Sequence, residues 1–156
     1  MRTTLLPALL LSLLPVVAGA QAHPLVGTWE VTYPIGFEID GPNQRARAIE
    51  ATGTLTITAM DDSLVAVLVT PPKEGFPTRP PSRFTTARTD AWPVRFEQRS
   101  PATVTINGVD QERTALSRWE FTVDGDELGG TVSRGIEGMP SPTDAPRPLR
   151  GKRMSP

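Results

Sequence analysis

Several windows of this chain alternate apolar and polar residues with a period of two, and past the N-terminal leader no window repeats apolar residues at helical spacing over three turns. That contrast restricts the fold to β-structure, because a period of two turns one face of a strand to a core and the other to water. From Gly27, the side chains of Trp29, Val31 and Tyr33 share one face, and Thr28, Glu30 and Thr32 share the other. The segment "RAIEATGTLTITA" repeats the rule, with Ile49, Ala51, Leu55 and Ile57 set against a row of threonines, which are β-branched and polar as a solvated strand face prefers. In "ERTALSRWEFTV", Ala115, Ser117, Trp119, Phe121 and Val123 line up, while "LVAVLVT" is apolar on both faces. Asp61-Asp62, Asn107-Gly108 and Asp124-Gly125-Asp126 read as tight turns between such segments. The expected fold is all-β, an antiparallel up-and-down meander of about eight strands closed into a barrel; the joint at Ser100-Pro101 reads as a bulge, a bend or a true break, and the meander requires it to be a bend inside one strand.

The first 22 residues, "MRTTLLPALLLSLLPVVAGAQA", have the build of a secretory signal peptide: basic Arg2, an apolar run from Leu5 to Ala18, and small residues that fit cleavage after Ala20 or Ala22. The run is short and interrupted by Pro7 and Pro15, so no stable membrane insertion is expected once it is removed. Residues 23–156 then form a single exported domain, periplasmic or extracellular, of a length that suits one core. It contains no cysteine, so packing rather than disulfides must stabilise it. The full chain carries 16 basic and 17 acidic residues, and the leader takes away only Arg2, a near-balance that gives no electrostatic reason to expect nucleic acid.

In a meander, alternate connections lie at opposite ends. One end would hold the short turns at Asp61-Asp62, near Asp90 and at Asp124-Gly125-Asp126. The other would hold "PIGFEIDGPNQ", "PPKEGFPTRPP", the Asn107-Gly108 turn and "GIEGMPSPTDAPRP". The expected shape is a cup with a closed base and an elaborated mouth.

Gly27-Thr28-Trp29 on the first strand after a signal peptide, followed by a β meander and a basic final strand, resembles the calycins, the group that includes lipocalins, fatty-acid-binding proteins and avidins. The resemblance implies a lipocalin-like barrel in which Gly27 and Trp29 close the base and an arginine of the last strand lies over the indole ring. That arginine would be Arg153, or Arg150 in another register. A guanidinium over an aromatic face gains roughly 0.5–2 kcal/mol, depending on desolvation. The sequence lacks a helix after the last strand, a fatty-acid-binding helical lid and the avidin ligand residues, which leaves a general secreted lipocalin-like domain.

His23 is the only histidine, so a Ser-His-Asp or Cys-His arrangement is not available in the body of the fold. His23 is expected to be a disordered terminal residue. No zinc, copper or calcium site and no cofactor is expected, the acidic clusters reading as turns, and no catalytic residue is singled out. Parity with Trp29 turns Tyr33 inward near the mouth, parity with Ile49 does the same for Arg47, and parity with Trp119 does so for Arg113; Phe84 and Phe96 join this set. Two arginines and a tyrosine over an apolar cup suit an amphipathic ligand with an acidic head. A bland reading stands beside it, in which both arginines turn back to water at strand ends and side chains fill the barrel. Two functions follow. One is a secreted, non-catalytic lipocalin-like domain binding a small apolar or amphipathic molecule; the alternative is a solid-cored module presenting its Pro-rich loops to an envelope or secreted protein partner.

Overall fold

The computed structural model describes residues 22–40, 45–141 and 144–154. Its strands are β1 (Gly27–Asp40), β2 (Arg45–Met60), β3 (Ser63–Val69), β4 (Ser82–Ala87), β5 (Val94–Ile106), β6 (Val109–Asp124), β7 (Glu127–Ile136) and β8 (Arg147–Arg153). They form one antiparallel sheet in the order β4-β3-β2-β1-β8-β7-β6-β5. Sequence neighbours pair throughout β1 to β4 and throughout β5 to β8, and β1 closes on β8 from Trp29↔Arg153 to Thr32↔Arg150. β4 and β5 are not hydrogen-bonded to each other, so the barrel is nearly closed. Across that seam the rings of Phe84 and Phe96 meet edge to face, with centroids 5.5 Å apart.

The turn chemistry acts where the sequence places it. Asn107 and Gly108 both take positive φ, 52° and 77°, as a two-residue hairpin turn with right-handed strand twist requires. Pro101 sits within β5 opposite Thr114 and breaks nothing, because β5 is an edge strand and a missing N–H is tolerated there.

"PIGFEIDGPNQ" differs from its reading as a loop. β1 continues through it to Asp40, and a register shift between Pro34 and Gly36 absorbs the proline. Beyond Thr32, β1 has left β8 and pairs with β2 alone; Val109–Thr114 of β6 likewise pair with β5 alone. The mouth therefore carries two hairpin arms, rooted on opposite sides of the strand order, together with the Pro-rich segments.

Inward positions alternate as the sequence dictates, and aromatic rings fill the interior. Trp119 lies parallel to Phe84 at 5.4 Å and edge-on to Tyr33 at 5.5 Å, and Phe96 meets Phe121 at 5.7 Å. These rings occupy the space a ligand-holding lumen would need. At the other end, residues 23–26 tuck under the barrel, with Leu25 fully buried.

Candidate functional site

At the base, Trp29 is fully buried and its Nε1 donates to Leu25 O at 2.9 Å. The Arg153 guanidinium carbon lies 4.1 Å from the centroid of the same ring. Arg153 is held there by donating to Val26 O at 3.0 Å and Pro24 O at 2.9 Å, with Asp126 Oδ1 3.2 Å from its Nε. Arg150, the other register's choice, faces outward and pairs with Glu50 at 3.1 Å. The three-residue offset between them explains this, since neighbouring parities point to opposite faces of a strand. His23 is not a disordered terminus. It is buried, accepting from Leu25 N–H at Nδ1 (3.2 Å), which leaves the proton on Nε2 to be donated to Thr89 O (3.0 Å). These contacts make the base a structural plug.

At the mouth, the residues expected to face a ligand do not converge. Tyr33 is buried and hydrogen-bonds Thr70 Oγ1, and Phe84 and Phe96 are buried among other rings as core. Arg47 is exposed on the β1–β2 arm opposite Glu38. Arg113 is exposed on the β5–β6 arm, donating to Gln111 Oε1. Parity along each strand holds, but the barrel wall ends before either arginine is reached.

Other arginines occupy the mouth. β7 turns Leu128 and Val132 inward, and the same parity brings in Arg134 at its mouth end. The Arg134 guanidinium carbon lies 5.3 Å from the Trp119 ring centroid and 5.9 Å from that of Tyr33, and Nη1 donates to Pro34 O at 3.3 Å. Burial holds its pKa below the ordinary arginine value; the positive charge of Arg79 adds to this, against an opposing pull from Tyr33. Arg79, from the β3–β4 connection, donates to Ile35 O at 3.2 Å. Arg147, opening β8, places its guanidinium carbon 4.9 Å from the Phe37 ring centroid, and its buried Nε has no hydrogen-bond partner among the described residues.

Between Arg134 and Arg147 lies a cleft of about 110 Å³, walled also by Pro34–Phe37 of β1, Val132 of β7 and Ala145, with Arg79 outside this lining. It exists because β1 has parted from β8 while β8 begins opposite Val132, leaving a slot in the barrel wall. Its lining offers apolar surface and guanidinium donors, which is chemistry for binding an anion-bearing molecule. Arg134 and Arg147 carry a readable signal, being in parity with inward Val132 and Leu149; Arg79 sits in a segment without periodicity and gives none.

The fold and site define a class: a nearly closed eight-stranded antiparallel barrel with a filled interior, a plugged base and an arginine-lined cleft beside its mouth. Comparisons with protein-family models, characterised proteins and solved structures find no match to this chain.

Proposed function

We propose that this chain is a secreted, non-catalytic, lipocalin-like binding protein that takes a small amphipathic molecule in the cleft beside the barrel mouth rather than in a lumen. The Trp29–Arg153 stack and the closure of β1 on β8 support the kinship. The observation that carries the binding reading is Arg134. Its half-buried guanidinium has no carboxylate partner among the described residues and borders an apolar cleft. Proteins rarely bury a charge without a partner unless the site serves a ligand.

Trp119, beside Arg134, is the natural reporter, and Trp92→Phe removes the exposed background indole. Titration of that variant with octanol, octanoate and octyl phosphate should give a saturable emission change with at least one probe, weakened by Arg134→Met. Flat titrations with all three would overturn the reading.

The filled interior also favours the solid-cored interaction module. Phe76 packs against the core and anchors a segment whose Pro71, Pro72, Pro77 and Pro80 are exposed, and proline lowers the entropy lost on docking. Replacing Pro77 and Pro80 by serine separates the two readings. A lost protein partner with unchanged probe binding favours the module, and no change in either favours the binding protein.

A further inference from the structure

Three guanidiniums from separate parts of the chain meet the short β1 segment Pro34–Phe37. Arg134 donates to Pro34 O, Arg79 donates to Ile35 O, and Arg147 lies over the Phe37 ring. None of the three has a carboxylate within ion-pair distance among the described residues. The acids nearest in sequence to Arg134 and Arg147 have other contacts: Glu137 pairs with Arg99, and Asp144 accepts from Ser141 N–H. Gathering three like charges in a half-buried site is unfavourable, and neither two carbonyl dipoles nor aromatic faces supply a compensating full charge.

We propose that the cleft is built for a dianionic phosphoryl group, gripped by Arg134 and Arg147, with Arg79, which lies outside the cleft lining, adding positive charge nearby. The inference rests on the mouth-cleft reading and names the head group that the cleft takes. A carboxylate brings one charge and two oxygens, which a single arginine fork can satisfy. A phosphomonoester brings nearly two charges and three terminal oxygens, which the two guanidiniums lining the cleft, with the charge of Arg79 beside them, answer better than a single fork would. Arg147 Nε, buried without a partner among the described residues, is a donor that such an oxygen would satisfy. Val132, Ile35 and Ala145 share the cleft, so the group esterified to the phosphate would be apolar where it leaves the site. A free phosphate and a phosphomonoester lipid head present the same chemistry, and the test separates them.

The full exported chain, at about 0.15 M salt so that exposed charge is screened, is titrated with octyl phosphate, octanoate and octanol by tryptophan emission. Inorganic phosphate is followed by phosphorus NMR line broadening. Vesicles of phosphatidylcholine with and without phosphatidic acid are tested by co-sedimentation. Octyl phosphate should bind at least about tenfold tighter than octanoate or octanol. Arg134→Met and Arg147→Met should each weaken it by about tenfold or more, while Arg47→Ala and Arg113→Ala leave it unchanged; melting curves confirm that each variant is folded. Equal affinity for the three octyl probes overturns the phosphoryl proposal and leaves the mouth-cleft reading standing. Tight binding of inorganic phosphate with no gain from the alkyl chain does the reverse. Binding lost equally in the Arg47 and Arg113 variants identifies diffuse surface charge and overturns the proposal. Phosphatidic-acid-dependent sedimentation with inert inorganic phosphate assigns the group to a lipid head.

Discussion

A Cβ built on Gly27 would lie 2.6 Å from Arg153 Nη1, so the glycine of the Gly-x-Trp motif is the gap through which the guanidinium reaches the base. Gly27 also has φ of +143°, which other residues rarely adopt. Gly27→Ala should therefore destabilise the protein by about 1–3 kcal/mol. Part of that loss is the collision with Arg153, so it should shrink when Arg153 is alanine. Urea denaturation of the four members of the double-mutant cycle tests this; strictly additive losses would refute the shared gap.

Two arginines three positions apart on β8 should behave differently. Arg150 pairs with Glu50 at side-chain exposures of 70% and 40%, so Arg150→Ala should change stability by less than about 1 kcal/mol. Arg153→Ala loses two bonds to backbone carbonyls and its contact with Trp29, and should cost about 2–3 kcal/mol. Comparable losses from the two variants would count against the clamp.

The strand order was legible because the turn signals at Asp61-Asp62, Asn107-Gly108 and Asp124-Gly125-Asp126 fall between period-two segments, and successive antiparallel strands joined by short turns pair as neighbours. The site was only partly legible. Parity correctly turned Tyr33 inward, but parity fixes a face and not where a barrel wall ends. Arg47 and Arg113 thus lie on arms that have outrun their other neighbours. Continuation of β1 past Pro34 depends on a bulge, which a proline in a period-two pattern conceals. His23 belongs to no periodic pattern; beside its bond from Leu25 N–H, the distant Thr89 carbonyl and the ring of Trp92, 5.5 Å away, give it a place.

That place makes His23 part of the fold. His23→Ala removes the bond to Thr89 O and leaves Leu25 N–H without its acceptor, and should destabilise the protein by about 1–2 kcal/mol. Leu25→Ala, at a fully buried position, should cost about 2–5 kcal/mol. Urea midpoints check both, and a neutral His23→Ala would show that the N-terminal segment only rests against the base.

Phe84 tests whether the interior is core or lumen. Its ring is stacked on Trp119 and edge-on to Phe96, so Phe84→Ala should cost about 3–5 kcal/mol. Affinity for octyl phosphate should stay within about threefold, less than the tenfold that marks a full interaction lost. Denaturation and emission titration on the same sample decide it. Loss of affinity with little loss of stability would place the ligand inside the barrel.

Arg134 should show stability and binding pulling against each other. Its charge is half-buried, faces the charge of Arg79, and is answered by one carbonyl and two rings. Methionine keeps much of the aliphatic stem and its packing on Trp119 while removing both the desolvated charge and the repulsion. Arg134→Met should be neutral or stabilising by up to about 1 kcal/mol in the free protein, as expected where a site is tuned for a ligand rather than for stability. The same variant should bind octyl phosphate about tenfold more weakly or worse. Thermal denaturation with and without octyl phosphate measures both effects: the wild-type midpoint should rise with ligand and the variant's should rise less at the same concentration. A variant that is clearly destabilised when free would mean that the guanidinium is there to hold Pro34 and the rings together, and that its charge is structural.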